Sequence, residues 1–456
     1  MHADALTSFD THHTPSMPRK HVLLCMGTRP EIIKMAPVYH ALRDSTLEPI
    51  VLHTGQHTDI AWPVYEFFGM KPATALDLPR DRPSLGHLNA QLLDRIDAVV
   101  TVQDTAAMLV HGDTSSALAA ALAGVFSGRP VGHVEAGLRS YDGLDPFPEE
   151  LNRVLIARLA RWHFAPTPRA VDNLLLEGVH PTQVHLVGNT VVDAAQRGLA
   201  ALDAADAAEL AEIVSDDMAA WSHAERPVLV TAHRRENWGE PIRDVARAIG
   251  ALATRHAGLD VLWPVHPNPA VRADVDAGLA DVAPDVRARI RLIEPIDYPQ
   301  MLWALRACWL VATDSGGIQE EAAALDRPVL VLRQRTERPE LIEAGGGHLI
   351  GADRAGLEAW VDELIARPEV YQAMRTVENP YGDGRAAQYL SGVLERELAG
   401  ELDGSLPRPA PSATPLPPGH EPRNPAPAGY PDTTPRRRRT DQPIPQVIWG
   451  ASTPQS

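Results

Sequence analysis

Short apolar runs rich in β-branched residues recur along the chain, and stretches with helical character separate them. Six of these runs predict strands in the first half, at 22–27, 50–55, 108–112, 131–134, 162–165 and 184–187. Five more predict a second series of strands, at 228–232, 261–265, 290–293, 309–312 and 328–332. Apolar strands that alternate with helices are typical of parallel sheets with helices on both faces. The predicted fold class is therefore α/β, with two Rossmann-like domains.

The join between the two series is predicted near 188–220, where the chain is rich in Ala and Asp and suits a helical connector. We expect an N-terminal domain over 20–188 and a C-terminal domain over 189–382. The segments 1–19 and 400–456 are predicted to be disordered. The second of them is rich in proline and poor in aliphatic residues, so it cannot bury enough apolar surface to fold.

Composition narrows the class of function. The 42 basic and 59 acidic residues give a formal charge of −17, which argues against a general nucleic-acid binder. The basic run 436–439 is expected to be part of a solvated tail, although it could dock on an acidic surface or on nucleic acid. No apolar run approaches the roughly 18 residues of a membrane span, and the first residues lack the apolar core of a signal peptide. We therefore expect a cytoplasmic protein, in which Cys25 and Cys308 are buried free thiols.

Polar residues cluster directly after the predicted strands, in the motifs GTRPEIIK, TGQH, HGDTSS, HVEAGLRS, GNT, AHRREN, VHPN and TDSGG. In open parallel sheets, ligands bind outside the carboxyl ends of the strands, so two such edges that face one another would form a deep cleft. Helix caps explain the Ser, Thr, Asp and Asn residues at these places. They do not explain the titratable side chains His111, His133, Glu135, His233, Arg234, Arg235 and His266.

Two of these motifs predict an anion site. In GTRPEIIK, Arg29 and Lys34 flank the start of a helix, which is a favourable place for phosphate. In TDSGG, a helix begins at Ser315-Gly316-Gly317, so its free backbone N–H groups can point at an anion. Glu321, further along that helix, could reach ribose hydroxyls. The alternatives are that Glu320 and Glu321 are exposed helix charges and that Arg338, after the last strand, is a surface arginine.

The stretch from Asp113 to Arg153 is the candidate for chemistry. Asp113, Glu135 and Glu149 could converge as carboxylates, and Arg153 follows Glu149 by one helical turn on the same face. Paired carboxylates with His233 nearby are suited to proton abstraction and return. The competing interpretation is a metal site, but the HExxH spacing of a tight metal motif is missing, so no metal is predicted. Its ligands would come from His111, Asp113, His133, Glu135 and His266.

Twelve motifs in order, from about His21 to about Leu398, resemble the non-hydrolysing UDP-N-acetylglucosamine 2-epimerases. They are GTRPEIIK, TGQH, HGDTSSALAAALA, PVGHVEAGLRS, PFPEELNR, GNTVVDA, TAHRREN, PVHPNP, TDSGGIQEEAAAL, RPVLVLR, TERPE and NPYGDG. The resemblance implies a glycosyltransferase-B type fold with an active-site cleft between the domains, and a C-terminal helix, 383–398, that packs on the first domain. It implies reversible conversion of UDP-N-acetylglucosamine to UDP-N-acetylmannosamine through elimination and re-addition of UDP, without metal or other cofactor, in a homodimer.

The resemblance also implies residue roles. The catalytic residues would be Asp113, Glu135 and Glu149, supported by Arg153 and His233. The UDP-binding residues would be Arg29, Lys34, Ser315, Gly316, Gly317, Glu321 and Arg338. A second UDP-N-acetylglucosamine could act as an activator at Gln56, Arg234 and His266. In this chain the usual TGQHREML reads TGQHTDIA, and an acid at Asp59 could repel an activator's phosphates.

The sequence is compatible with three alternative functions. A retaining glycosyltransferase of the same fold would share TDSGG and Glu321, but it has no need for HGD, HVEAGLR and PEELNR together. A hydrolysing epimerase would share the elimination step and release free N-acetylmannosamine and UDP. A non-catalytic sensor of nucleotide sugars would need no base and acid on opposite faces of the sugar. The full set of carboxylates therefore favours the epimerase.

Overall fold

The computed structural model describes residues 19–57, 61–79, 82 and 84–400. The predicted disorder at the two ends falls almost entirely on 1–18 and 401–456, which lie outside the described residues, as do Thr58 and Asp59.

The first sheet contains seven strands in the described part of the chain, in the order β3-β2-β1-β4-β5-β6-β7. All of its pairings are parallel. The strands are β1 (Lys20–Met26), β2 (Leu47–His53), β3 (Thr74–Ala75), β4 (Ala107–His111), β5 (Val131–Val134), β6 (Trp162–Ala165) and β7 (Val184–Leu186).

The second sheet contains six strands in the described residues, in the order β10-β9-β8-β11-β12-β13, and it is also parallel throughout. The strands are β8 (Arg226–Thr231), β9 (Leu259–Pro264), β10 (Ile290–Ile293), β11 (Leu310–Thr313), β12 (Val329–Val331) and β13 (Gly347–Leu349).

Helices connect the strands and cover the sheets. Those of the first half are α1 (Arg29–Arg43), α2 (Trp62–Phe67), α3 (Leu85–Val102), α4 (Ser115–Phe126), α5 (Glu149–Leu159), α6 (Pro168–Leu176) and α7 (Thr190–Ala204). Those of the second half are α8 (Ala207–Ile213), α9 (Asp216–Ser222), α10 (Glu240–Arg255), α11 (Pro269–Gly278), α12 (Pro284–Arg287), α13 (Tyr298–Ala307), α14 (Gly316–Ala324), α15 (Pro339–Ala344), α16 (Arg354–Ala366), α17 (Pro368–Arg375) and α18 (Ala386–Ala399). Among the described residues, none of these helices is both long and apolar enough to cross a membrane.

The predicted fold class is confirmed, because two parallel sheets alternate with helices along the chain. All eleven predicted strands are present, although their ends shift by up to three residues. The two strands that the apolar pattern missed, β3 and β13, have two and three residues and lie at sheet edges, where few apolar positions are needed. Cys25 and Cys308 are both buried free thiols, as predicted.

The last helix, α18, packs on the first sheet's layer of helices. Its residues Leu390 and Leu394 belong to the same buried cluster as Met35 and Val38 of α1. At the N-terminus of α18, the buried Asp193 of α7 accepts hydrogen bonds from the backbone N–H groups of Ala386 at 3.2 Å and Ala387 at 2.9 Å. The connector helix and the returning helix therefore hold one another. The exact domain boundaries stay a prediction.

We expect Asp193→Ala to lower the free energy of unfolding by about 1–2 kcal/mol, because two helix N–H groups lose their acceptor. Asp203→Ala on the same helix is the matched control, since Asp203 is 69% exposed in its pair with Arg306. An exposed ion pair contributes little, so the control should change stability by less than about 0.5 kcal/mol. Urea unfolding followed by circular dichroism measures the free energy of unfolding of both variants. Equal losses in the two variants would contradict the capping role of Asp193.

Candidate active site

The loops that follow the strands of both sheets meet in one cleft. Lys34 of α1 belongs to the first sheet's layer, and its ammonium donates to Glu320 of α14 in the second sheet's layer at 2.8 Å. The same ammonium donates to Glu135, which directly follows β5. The two polar edges predicted from the sequence therefore face one another.

Lys34 is a buried cation in this cleft. Burial would lower the pKa of its ammonium, but the charges of Glu135 and Glu320 outweigh burial and raise the pKa above its ordinary value. Lys34 therefore stays charged, with two carboxylates to balance it. A buried charge of this kind is tolerated only when it is paired.

Glu135 has two unusual properties. Its backbone φ is 63°, in the left-handed region that non-glycine residues seldom adopt, and such strain concentrates at functional sites. Burial would raise the pKa of its carboxyl, but Lys34 and then His111 overcome burial and hold the pKa well below the ordinary value. His111 Nε2 lies 3.4 Å from the carboxylate. Glu135 is therefore held ionised although only 8% of its side chain is exposed.

The pKa of Glu149 is shifted in the opposite direction to that of Glu135. Glu149 is the first residue of α5, and its pKa is raised above the ordinary value by burial, to which the nearby charge of Asp113 adds. The charges of Arg153 and Arg234 act in the other direction without cancelling the rise. Two carboxyl groups whose surroundings drive their pKa values apart can act as a base and an acid.

Arg153 fixes Asp113, the third predicted carboxylate. Arg153 Nε donates to Asp113 Oδ2 at 2.8 Å, Nη2 lies 2.7 Å from the same oxygen in the ion pair, and Nη1 donates to Glu150 at 3.1 Å. Asn152 also donates to the Asp113 backbone carbonyl at 2.7 Å. Arg153 lies near Glu149, as its effect on the Glu149 pKa indicates, but its ion-pair partners are Asp113 and Glu150, the residue after Glu149.

His233 enters the cleft from the second sheet. The fully buried carboxylate of Asp314 accepts hydrogen bonds from the backbone N–H groups of His233 and Arg234, both at 2.9 Å, and from Asn237 Nδ2 at 3.0 Å. His233 Nδ1 lies 3.4 Å from Asp314, while 48% of its side chain is exposed. Asp314 thus sets the loop that presents the imidazole. Asp314 belongs to the TDSGG motif, but no role was predicted for it.

The predicted anion site lies at the start of α14. Ser315 directly precedes this helix, although within the described residues its side chain makes no capping hydrogen bond. A Cβ placed on Gly317 would meet no described atom within 4 Å, whereas one on Gly316 would lie 2.4 Å from Arg338 Nη1. Gly317 therefore leaves room beside the helix N-terminus, and Gly316 lets the arginine pack against the backbone.

Arg338 and the two glutamates of α14 are buried, which contradicts the alternative that they are surface residues. Arg338 Nε donates to Glu320 at 2.6 Å, and its Nη1 donates to Glu337 at 2.7 Å. Burial raises the pKa of Glu321 to about 7, while the nearby charges of Arg29 and Lys34 lower it. These contacts gather the predicted UDP-binding side chains around one helix start.

The three predicted activator residues follow three different strands, β2, β8 and β9. Gln56 accepts hydrogen bonds from Ser116 N at 3.2 Å and Ser116 Oγ at 2.7 Å. Arg234 Nη2 donates to Glu337 at 3.5 Å. His266 packs beside Trp238, with their ring centroids 5.7 Å apart. The activator site stays a prediction, and the departures at Thr58 and Asp59 lie outside the described residues.

The competing metal interpretation gains no support, because no group of three or more metal-ligating side chains occurs among the described residues.

Three further buried acids organise the site. Glu31 accepts from Gly27 N at 2.8 Å and Thr28 N at 2.7 Å, while Glu150 accepts from Ser140 N at 3.0 Å. Glu320 is the third. The sequence shows these acids in the motif RPE and in two EE pairs. It does not show which glutamate of each pair is buried.

The comparison with known proteins agrees with this geometry. The family model described as UDP-N-acetylglucosamine 2-epimerase matches residues 40–395. The UDP-N-acetylglucosamine 2-epimerase of Escherichia coli K12 is 38% identical over 379 residues, which cover 82% of this chain and 98% of the relative.

Two solved structures have the same fold. The S. aureus MnaA–UDP structure is 37% identical with a TM-score of 0.74, covering 85% of this chain and 99% of its own. The Neisseria meningitidis UDP-GlcNAc 2-epimerase bound to UDP-GlcNAc is 37% identical with a TM-score of 0.73, covering 82% and 100%. Both sheets are included at this coverage, so the arrangement is of the glycosyltransferase-B type. This chain belongs to the UDP-N-acetylglucosamine 2-epimerase family and is an isomerase.

Proposed function

We propose that this protein interconverts UDP-N-acetylglucosamine and UDP-N-acetylmannosamine without hydrolysing them. The proposal rests on cleft carboxyl groups whose pKa values are shifted in opposite directions, that of Glu135 downward and that of Glu149 upward, and on the buried Lys34, whose ammonium donates a hydrogen bond to Glu135. Relatives named UDP-N-acetylglucosamine 2-epimerase match this chain over nearly their whole length, which supports epimerisation of this nucleotide sugar. Asp113, Arg153 and His233 complete the proposed catalytic set.

The chemistry requires elimination, because the sugar C2 has no neighbouring carbonyl and its proton is not acidic. A base removes the C2 proton while the C1–O bond to UDP breaks, and the electron pair of the C–H bond forms the C1=C2 double bond. The products are 2-acetamidoglucal and UDP, which keeps the electrons of the broken bond. Re-addition of UDP at C1, with a proton delivered to the opposite face of C2, gives the epimer.

The proposed roles follow from the charges of the residues. Glu135 is ionised and therefore suited to remove the proton from one face, and Glu149 is suited to deliver one to the other face. The reverse reaction exchanges these roles. Arg153 keeps Asp113 in place beside them.

The departing UDP carries new negative charge, and several groups are arranged to stabilise it. Lys34 and Arg338 supply buried positive charge, and the N-terminus of α14 at Ser315-Gly316-Gly317 supplies backbone N–H groups. We assign His233 to the diphosphate and Glu321 to the ribose hydroxyls. Arg29 lies within electrostatic reach of Glu321 at the same end of the cleft.

The remaining parts of the proposal come from the family resemblance. They are a homodimer, a cytoplasmic location and an activator site at Gln56, Arg234 and His266. The hydrolysing epimerase differs from the proposed enzyme in the fate of the glycal, and a glycosyltransferase needs no proton transfer at C2.

Proton NMR of the enzyme with UDP-N-acetylglucosamine in D2O tests the reaction. We expect UDP-N-acetylmannosamine to appear, with deuterium entering C2 of both nucleotide sugars, because the proton removed exchanges with solvent. Free N-acetylmannosamine with UDP would identify a hydrolysing enzyme instead. No change, even with added nucleotide sugar as activator, would contradict the proposal.

Glu135→Gln should abolish turnover, because an amide cannot accept the C2 proton, and it should leave UDP binding nearly intact. Glu343→Gln is the matched control. Glu343 is 60% exposed and forms an ion pair with Arg169 across the same two sheets, so its loss should leave turnover unchanged. Turnover is measured by NMR and UDP affinity by calorimetry. Full activity in Glu135→Gln would refute the assigned base.

Binding of the nucleotide sugar should strengthen as the pH rises through about 7, the pKa of Glu321. Below that pH the carboxyl is protonated, and above it the carboxylate accepts the ribose hydroxyls better. We expect the affinity at pH 8 to exceed that at pH 6 by about threefold to tenfold. Calorimetry with UDP-N-acetylglucosamine on Glu135→Gln measures this, because that variant does not turn the ligand over.

The matched control adds Glu321→Gln to Glu135→Gln. An amide does not titrate, so the affinity of the double variant should be nearly independent of pH over this range. The same pH dependence in both proteins would show that another group is responsible.

A further inference from the structure

Glu320 is a buried carboxylate to which no catalytic or binding role has been assigned above. It lies on α14 beside Glu321, and it is 1% exposed. Its Oε2 accepts a hydrogen bond from Lys34 Nζ at 2.8 Å, and its Oε1 accepts one from Arg338 Nε at 2.6 Å. Both oxygens are therefore used, each by a different cation.

These two cations come from different parts of the molecule. Lys34 belongs to α1, directly after the first strand of the first sheet, and Arg338 directly precedes α15 in the second sheet's layer. A single carboxylate holds the two nitrogen atoms at a set separation, because its own oxygens are rigidly spaced. The relative position of the ammonium and the guanidinium therefore depends on Glu320 and on how the two sheets meet.

Lys34 and Arg338 each have a second acidic partner, but neither of these acids contacts both cations in the described residues. Lys34 also contacts Glu135, and Arg338 also contacts Glu337. Each cation thus has a second acid of its own, and Glu320 is the described residue that hydrogen-bonds to both. Without Glu320, Lys34 would be drawn towards Glu135 alone and Arg338 towards Glu337 alone. Both movements would take positive charge away from the space between them.

We propose that Glu320 is a positioning residue for the reaction, holding Lys34 and Arg338 as a cross-cleft pair for the diphosphate that leaves C1. This inference rests on the proposed function, since it names the device that prepares the same site. Groups that stabilise developing charge are most effective when they are fixed before the reaction starts. Because Lys34 also contacts Glu135, Glu320 further determines how the ammonium is shared between the base and the leaving group.

The test compares Glu320→Gln and Glu320→Asp with the wild-type enzyme. An amide oxygen can accept from one cation, but the amide N–H groups cannot accept from the other. We expect Glu320→Gln to lower kcat by about 10- to 100-fold. The Kd for UDP should change by less than about threefold, because the ribose and helix contacts remain and one cation is released to the phosphates. Glu320→Asp keeps the charge on a shorter side chain and should recover part of kcat.

Glu343→Gln serves again as the control, because it removes an exposed carboxylate that also bridges the two sheets. Thermal unfolding of each variant separates positioning from stability, since a purely structural role would lower the melting temperature without a selective loss of kcat. If Glu320→Gln folds poorly, the loss of kcat at retained UDP affinity in Glu320→Asp makes the same test.

The outcomes are distinct. A fall in kcat at nearly unchanged UDP affinity, partly recovered by Glu320→Asp, supports the positioning role. A kcat equal to that of the wild type in Glu320→Gln overturns it, as does a loss confined to UDP affinity. A wild-type enzyme that does not epimerise its substrate contradicts the proposed function itself, whereas an active wild type with an equally active Glu320→Gln contradicts only the role of Glu320.

Discussion

Charges buried in the cleft must be paired, and the structure depends on how the two sheets supply those pairs. Lys34 of the first sheet's layer lies between Glu135 and Glu320, and Arg338 of the second lies between Glu320 and Glu337. An isolated charge in such a place would cost several kcal/mol. The arrangement of α1, α14 and the loop before α15 is therefore constrained together, because displacing one of them would leave a buried charge without its partner.

This constraint also determines the chemistry. Positive charge beside Glu135 keeps it ionised in a buried site, whereas burial and the charge of Asp113 favour the protonated form of Glu149. Two residues of one chemical type thereby acquire opposite tendencies to hold a proton. In the proposed mechanism, the same cations stabilise the leaving diphosphate. The buried cations and carboxylates must neutralise one another, and in the proposed mechanism this arrangement also prepares the site for the charge separation of the reaction.

The rest of the fold holds the two sheets in the relation that this network requires. The connector helix α7 leaves the first sheet, and α18 returns to it at the end of the described chain. Asp193 joins the two helices through the backbone at the start of α18. Arg169 of α6 and Glu343 of α15 form an exposed ion pair between the same two halves. The contacts of α7 with α18 and of α6 with α15 therefore help to fix the position of one sheet relative to the other.

Much of this architecture could be predicted from the sequence. Apolar strands of three to seven residues between helical stretches identify the parallel sheets, because both faces of such strands must be buried. The short edge strands β3 and β13 escaped prediction, since an edge strand needs little apolar character. Polar motifs after the strands located the site, because parallel strands bring their carboxyl ends to one edge.

The partners of individual side chains could not be predicted in this way. Arg153 was predicted to share a helix face with Glu149, but the pattern could not show that its ion-pair partners are Glu150 and Asp113. Nor could Glu320 be told from an exposed helix charge. Adjacent carboxylates on a helix point in directions that differ by about 100°, so their burial depends on what packs against each face. The sequence by itself determined the two-sheet fold, the family resemblance and the loops that meet at the cleft, because these follow from periodicity and motif order. Only the tertiary structure decided which acids are buried, which cations they share and in which direction the pKa of each carboxyl group is shifted, because those properties depend on desolvation and on charges brought together from distant parts of the chain.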